Sequence, residues 1–256
     1  MDKNLEWILN TIDNRLGSAF EINVYGEENI VPGKAVYCGN HFHFLDPIFA
    51  SYPVAKNTER LIHAMAKPSL FKLPVIGNYL RKSGAIKTPR IKKEGHKAVK
   101  GALDEMSKDI SSFLSSDEPI YIAYTGTRTK HYPLDMREAE KDSTVMGIMS
   151  LLKKYDRSLD LEIVPVAVET YKRDSKFYFI YGLAALLGLL HPREKSPIDV
   201  MYGKPIHIGE FLSKGKNKKE LFDYIVDSVY DMREKLHEMH SGDYRRDISR
   251  YGRPEI

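Results

Sequence analysis

The chain has little that could staple it covalently or hold it across a bilayer. Cys38 is its single cysteine, which excludes an intrachain disulfide, and its place after "KAVY" sets it in an apolar strand with no resolving thiol nearby. That usage fits a reducing, cytoplasmic setting. No run of 18 apolar residues occurs, so no membrane-spanning helix is expected. Asp2, Glu6 and Asp13 among the first apolar residues are the wrong composition for a secretory signal. Linker-like tracts, internal repeats and low-complexity segments are also missing. The 256 residues are therefore expected to form one domain, an N-terminal helix over 1–20 and a core over about 21–240.

Charge of one sign is scarce too. A formal net charge of +4, with no aromatics interleaved among the basic residues, argues against a nucleic-acid binder. The excess is unevenly placed, however. Lys87, Arg90, Lys92, Lys93, Lys97 and Lys100 face only Glu94 in the same stretch, which makes it either a phosphate-facing surface or a solvated helix face.

What is present is an ordinary globular composition, 42% hydrophobic and 29% charged. Leu5, Ile8, Leu9, Ile12 and Leu16 recur at helical spacing beside Trp7, which predicts an amphipathic helix ending near Gly17. "FEINVYG" and "KAVYCGN" read as strands. Asp46-Pro47 reads as an N-cap followed by proline in the first helical position. Further along come a strand "LIHAMA", a helical piece broken at Pro74, a strand near "GAI", and a helix from about Ile91 to Phe113 carried by Val99, Leu103, Met106, Ile110 and Phe113. "PIYIAY" reads as a buried strand, "STVMGIMSLLKK" as a helix, "LEIVPVAV" and "IDVMYG" as strands, and "ELFDYIVDSVYDMREKLHEMH" as a closing helix. Strands alternating with helices predict an α/β fold, a mixed and largely parallel β-sheet flanked by helices. In such sheets ligands bind where loops leave the C-terminal ends of strands, and "NHFHFLD" and "TGTRTK" both leave strands in this sense.

His41, on the turn before the helix, is suited to act as a general base oriented by Asp46, because an imidazole titrates near neutrality and a carboxylate favours the imidazolium that forms. Two other readings stay open: Asp46 as a plain helix cap, and His41, His43 and Asp46 as three ligands of a catalytic zinc. "TGTR", from Thr125 to Arg128, suits a phosphate held by backbone N–H groups and a guanidinium, although a loop arginine more commonly pairs with a surface carboxylate.

Taken in order, these segments resemble the glycerolipid acyltransferases, the family typified by 1-acylglycerol-3-phosphate acyltransferase. "NHFHFLD" resembles that family's NHxSxxD box, with its catalytic HxxxxD pair. "AKPSLFKLPVIGNYLRKSGAIKTPR" is similar to the second block, through Lys67, Leu70, Phe71, Pro74, Gly77, Gly84, Ile86 and Arg90. "TGTR" stands where the family has EGTR, and "IVPVAV" and "VMYGKPIHIGEF" resemble later blocks, so the likeness runs from about Ala35 to Phe211. It implies a glycerol-3-phosphate acyltransferase-like fold and an O-acyltransferase of phospholipid synthesis, with His41 and Asp46 catalytic. Asn40, Lys67, Arg90, Thr125, Gly126, Thr127 and Arg128 are the implied substrate-binding set, Asn40 bracing the turn and Arg90 and Arg128 holding a phosphate. The co-substrate is acyl-CoA or acyl carrier protein, with no metal and no further cofactor. The acceptor is lysophosphatidate, or glycerol 3-phosphate as the alternative. Thr125 replaces the family's Glu and His43 its Ser, and Asp46-Pro47 matches the plastid-type glycerol-3-phosphate enzymes. These departures also motivate a rival, a non-catalytic lipid-binding or lipid-remodelling relative.

An enzyme that releases an acylated product needs a membrane-facing surface, which implies a cytoplasmic protein peripherally attached to the membrane. "FYFIYGLAALLGLL", Phe177 to Leu190, has no charge over 14 residues. As a helix it would reach about 21 Å, short of the ~30 Å hydrocarbon core, so it is expected to lie at the interface, to line an acyl groove, or to be a core strand over Phe177–Tyr181 followed by a buried helix. The N-terminal helix is a second candidate for interfacial contact.

Overall fold

Four apolar residues three or four apart need one buried stripe, and the first helix supplies it: Leu5, Ile8, Ile12 and Leu16 are all buried. The computed structural model describes residues 2–41, 43–88, 91–124, 160–170, 175–189 and 195–239. Helix α1 (Lys3–Thr11) is capped by Asp2, whose carboxylate accepts the N–H groups of Asn4 and Leu5 at 2.6 and 3.2 Å. It widens into a π-helical turn, Ile12–Leu16, that ends at Gly17 as the spacing predicts.

There follow β1 (Phe20–Tyr25), β2 (Ala35–Gly39), α2 (Asp46–Thr58) and β3 (His63–Ala66), then a 3-10 turn (Pro68–Lys72), α3 (Pro74–Lys82), β4 (Ile86–Lys87) and α4 (Ile91–Ser115). β5 (Ile120–Ala123), β6 (Glu162–Thr170), α5 (Ser175–Leu186), β7 (Ser196–Tyr202), β8 (Ile206–His207), α6 (Ile208–Ser213) and α7 (Lys218–Met239) complete the order. Pro74 divides the 3-10 turn from α3, because it has no N–H to give a continuing helix and restricts the residue before it.

The strands form one sheet in the order β1-β7-β6-β2-β5-β3-β4, with β8 on the start of β6. β6, β2, β5, β3 and β4 run parallel, whereas β7 is antiparallel to β6 and parallel to β1. The sheet is mixed and largely parallel, as expected. All five residues of β2 and seven consecutive residues of β6 are buried, the mark of strands covered on both faces. One face packs against α1, α2 and α5 through Phe20, Tyr37, Leu45, Phe49 and Val166. The other packs against α4 and α7 through Val36, Met106, Ile110, Ile163, Ile225 and Val229. Here a buried ion pair ties α7 to β6: Nε of Arg233 donates to Oε2 of Glu169 at 2.8 Å, with His237 3.5 Å from the same oxygen.

Three expectations need correction. Helix α2 starts at Asp46 itself, with Leu45 in the cap position and no side-chain cap bond, so Asp46 is not the N-cap and Pro47 is the second helical residue. Helix α4 runs two residues past Phe113, to Ser115. Phe177–Tyr181 is helical, not a strand, because α5 is one unbroken helix. The helix expected over "STVMGIMSLLKK" lies outside the described residues. Among the described residues no helix is long and apolar enough to cross a membrane.

Candidate active site

The site grows from the end of β2. The parallel β2–β6 ladder runs as far as Gly39 beside Val166, and Asn40 extends it with its side chain. Nδ2 of Asn40 donates to the Val168 carbonyl and Oδ1 accepts the Val168 N–H, both at 2.8 Å. A buried amide thus stands in for one more strand residue and satisfies two backbone groups that would otherwise be unpaired. The Asn40 carbonyl in turn accepts the hydroxyl of Tyr121, from β5, at 3.0 Å. That phenol fits because residue 39 is glycine: a Cβ there would lie 2.5 Å from the Tyr121 oxygen.

The turn that follows is closed by Asp46. Its Oδ2 accepts the backbone N–H of His43 at 2.7 Å, and its own N–H donates to the His43 carbonyl at 3.3 Å. The carboxylate therefore reaches back into the turn instead of forward over the helix. The same Oδ2 stands 4.0 Å from Nδ1 of His41. Asp46 is buried, while the His41 side chain keeps 19% of its surface exposed. With Nδ1 towards the carboxylate, Nε2 is the nitrogen left for a substrate. No group of three or more His, Cys, Asp or Glu side chains is placed to hold a metal ion among the described residues, so the three-ligand zinc reading of the turn has no geometry to rest on.

His41 opens onto a cavity of about 770 Å³, a size typical of ligand pockets. Helix α1 gives it Trp7 and Thr11 and the π-helical turn Arg15, α2 gives Pro47, Ile48 and Ser51, and β3 gives Ala64, Met65 and Ala66. Lys67, directly after β3, lines it too, as do Val75 and Tyr79 of α3, Tyr121 of β5 and Leu186 of α5. Trp7 contacts the Tyr79 ring there and also the ammonium of Lys82, which sits 3.8 Å from the indole ring centre. The walls are mostly apolar, with cations among the rim residues.

Helix α5 lies against the His41 turn. A Cβ on Gly182 would come 2.2 Å from Cδ1 of Leu45, so glycine lets the helix approach without displacing that side chain. Among the described residues of α5 and the turn after it, three apolar side chains are exposed: Ile180 by 67%, Leu187 by 42% and Leu189 by 74%. Leu73 and Val75, before and within the first turn of α3, are exposed as well.

The structure thus brings His41, Asp46, Asn40 and Lys67 to one end of the sheet. Arg90, Thr125, Gly126, Thr127 and Arg128 lie outside the described residues. The strands that precede the two loops are neighbours, since the Tyr124 N–H donates to the Gly39 carbonyl at 3.0 Å, and β2 and β5 are parallel. Tyr121 and the cavity wall from α1 are absent from the sequence-based set. The spacing of Trp7, Thr11 and Arg15, four apart, carried the signal for the wall.

The sequence profile of a family described as acyltransferase matches residues 21–169. No curated protein matches the chain. Among solved structures, the crystal structure of the 1-acyl-sn-glycerophosphate (LPA) acyltransferase PlsC from Thermotoga maritima is similar, with a TM-score of 0.58 and 17% identity over 94% of this chain and 81% of that one. At that identity the likeness is one of fold.

Proposed function

The chain belongs to the acyltransferase family, and from that premise we propose that it moves a fatty acyl group from acyl-CoA or acyl carrier protein to the hydroxyl of 1-acyl-sn-glycerol 3-phosphate. One observation carries this reading. His41 sits at the end of a large apolar cavity with a buried carboxylate 4.0 Å behind its ring.

In this scheme Nε2 of His41 takes the proton of the acceptor hydroxyl as its oxygen attacks the thioester carbonyl. The tetrahedral intermediate collapses by breaking the C–S bond, and the departing thiolate takes up the proton that His41 holds. The products are an ester and a free thiol, and no acyl-enzyme forms. Asp46 stabilises the imidazolium between the two transfers. Asn40 holds the turn. The apolar cavity takes the acyl chain, each buried methylene contributing about 0.8 kcal/mol. Lys67 adds positive charge at the cavity. Arg90 and Arg128 are assigned to the acceptor phosphate by resemblance, with Thr125, Gly126 and Thr127 shaping the loop.

Leu187 follows the cavity-lining Leu186, and Leu73 stands two residues before the cavity-lining Val75, so exposed apolar residues border the cavity on two elements, with Ile180 and Leu189 exposed further along the first. We assign this face to the membrane interface, where product and lipid acceptor are exchanged. The protein is then a peripheral enzyme on the cytoplasmic leaflet.

The test is thiol release from acyl-CoA and from acyl carrier protein, each offered lysophosphatidate and glycerol 3-phosphate. Release with lysophosphatidate, lost by 10²-fold or more in His41→Ala, is the expected result, given the usual worth of a general base, about 10²–10⁴. Release with glycerol 3-phosphate alone reassigns the acceptor. No release with any pair overturns the enzymatic reading and leaves a lipid binder.

A further inference from the structure

Tyr121 takes no part in the proton transfers, yet its hydroxyl touches the peptide that carries His41. We propose that Tyr121 is a positioning residue, which fixes His41 by holding the carbonyl of the Asn40–His41 peptide bond. The inference rests on the reading of His41 as general base.

Three hydrogen bonds converge on Asn40. Its side chain is tied twice to Val168 on β6, and its carbonyl once to Tyr121 on β5. The side-chain pair fixes the Cα of Asn40. It leaves the rotation of the following peptide plane undetermined, and that rotation sets where His41 points. The Tyr121 hydroxyl, bonded to that peptide's carbonyl, fixes it. Burial, reinforced by Asp46, raises the phenol's pKa well above its ordinary value, so the group stays protonated and remains a donor at any working pH. Asp46 is separately anchored through the His43 N–H. The two partners of the His41–Asp46 pair are thereby held from opposite ends of one turn, one by β5 and β6 and the other by its own loop.

Removing the hydroxyl leaves a buried carbonyl without this partner, and rotation of the peptide plane is its nearest relief. His41 would move with it. Misplacement of about 1 Å can lower turnover by about 10²-fold.

Tyr121→Phe, His41→Ala and Tyr202→Phe are compared with the wild type in the thiol-release assay. Tyr202 is the control, because its buried hydroxyl donates to the Ala50 carbonyl at 2.7 Å and its loss costs a bond of the same kind without touching the Asn40–His41 peptide. In Tyr121→Phe, kcat is expected to fall between about tenfold and a hundredfold, with KM for the thioester within about twofold. The acidic limb of its pH–rate profile should move to lower pH, because an imidazole drawn away from Asp46 gains less from holding a proton. Tyr202→Phe should keep the wild-type kcat and profile while melting at a similar temperature to Tyr121→Phe. Equal kcat in Tyr121→Phe and wild type, with His41→Ala inactive, overturns the positioning role and leaves the proposed function standing. Turnover surviving in His41→Ala overturns both. Should Tyr121→Phe fail to fold, the wild-type protein answers by NMR: a slowly exchanging Tyr121 hydroxyl proton supports the inference, and a freely exchanging one overturns it.

Discussion

Asp46 serves two residues with one oxygen: its Oδ2 accepts the His43 N–H at 2.7 Å and faces Nδ1 of His41 at 4.0 Å. The first contact shapes the turn and the second supplies charge, so the two duties separate chemically. Asp46→Asn keeps an acceptor for the N–H but removes the charge. Its kcat is expected to fall by about 10³–10⁴, the loss seen when a carboxylate behind a catalytic imidazole becomes an amide, with little change in melting temperature. Asp46→Ala loses the acceptor as well and should cost a further ~1–3 kcal/mol of stability. Steady-state kinetics and urea unfolding on both variants check this.

Chain length offers a test of the cavity. Ala64 lines it from β3, and Ala64→Leu fills part of the space that an acyl chain would take. Each methylene shut out should cost about 0.8 kcal/mol, roughly fourfold in kcat/KM. A panel of saturated acyl-CoA donors should show its optimum shifted to shorter chains.

Much of this architecture was legible. The stripe Leu5, Ile8, Ile12, Leu16 and the uninterrupted apolar runs of β2 and β6 are periodic signals that burial enforces directly. The HxxxxD spacing located the turn. Its inner wiring was not legible, because whether Asp46 caps α2 or reaches back to His43 is a choice of rotamer that spacing leaves open. Tyr121 was hidden for a different reason. Within "PIYIAY" it is one apolar-looking strand residue among several, and its role arises only when β5 lies beside β2 with Tyr37 opposite Tyr121. In α5 the apolar residues fall on every side, so periodicity could not separate helix from strand or the face against Leu45 from the face in solvent.

The Glu169–Arg233 pair predicts a stability defect without a local change in the His41 turn. Arg233→Met takes the guanidinium from a buried carboxylate on β6, leaving His237 3.5 Å from it, and should cost up to ~3–5 kcal/mol in urea unfolding. The double variant Glu169→Leu with Arg233→Met should recover most of that loss, because neither charge then remains to be buried.

Membrane attachment should depend on α5 and the turn that follows it. Ile180→Glu together with Leu189→Glu places two charges on the face assigned to the interface. Co-sedimentation with liposomes should drop by about tenfold or more. Turnover of a short-chain, water-soluble thioester and acceptor pair should hold within about twofold, which distinguishes lost attachment from lost catalysis.

Asp227 provides a pH signature on α7. Partial desolvation, with Asp223 and Asp231 one turn to either side, raises its pKa above 3.8. A carboxyl group whose folded pKa is raised binds its proton more tightly in the native state, so stability falls as pH rises from 3.8 through the raised value, and the penalty persists above it. Asp227→Asn should therefore stabilise the protein at pH 7 by roughly a few tenths of a kcal/mol, Asp227 being largely exposed. Below pH 3.8 the advantage should vanish. Thermal melts of both proteins at pH 7 and pH 3.5 would measure the difference.

The reversal of β7 and β1 against the other strands gives the molecule a busy rim and a blank one. Loops after β2 and β3 open beside His41, whereas β1 and β7 deliver theirs to the opposite side, where Ile208 is tied to Leu161 at the start of β6. The link between α6 and α7 lies on that blank side, where Lys214 is exposed beside Gly215, whose φ of +75° keeps that position to glycine. A fluorophore or an immobilising tether belongs there: it would report on the enzyme, or hold it to a support, while leaving the chemistry on the other rim undisturbed.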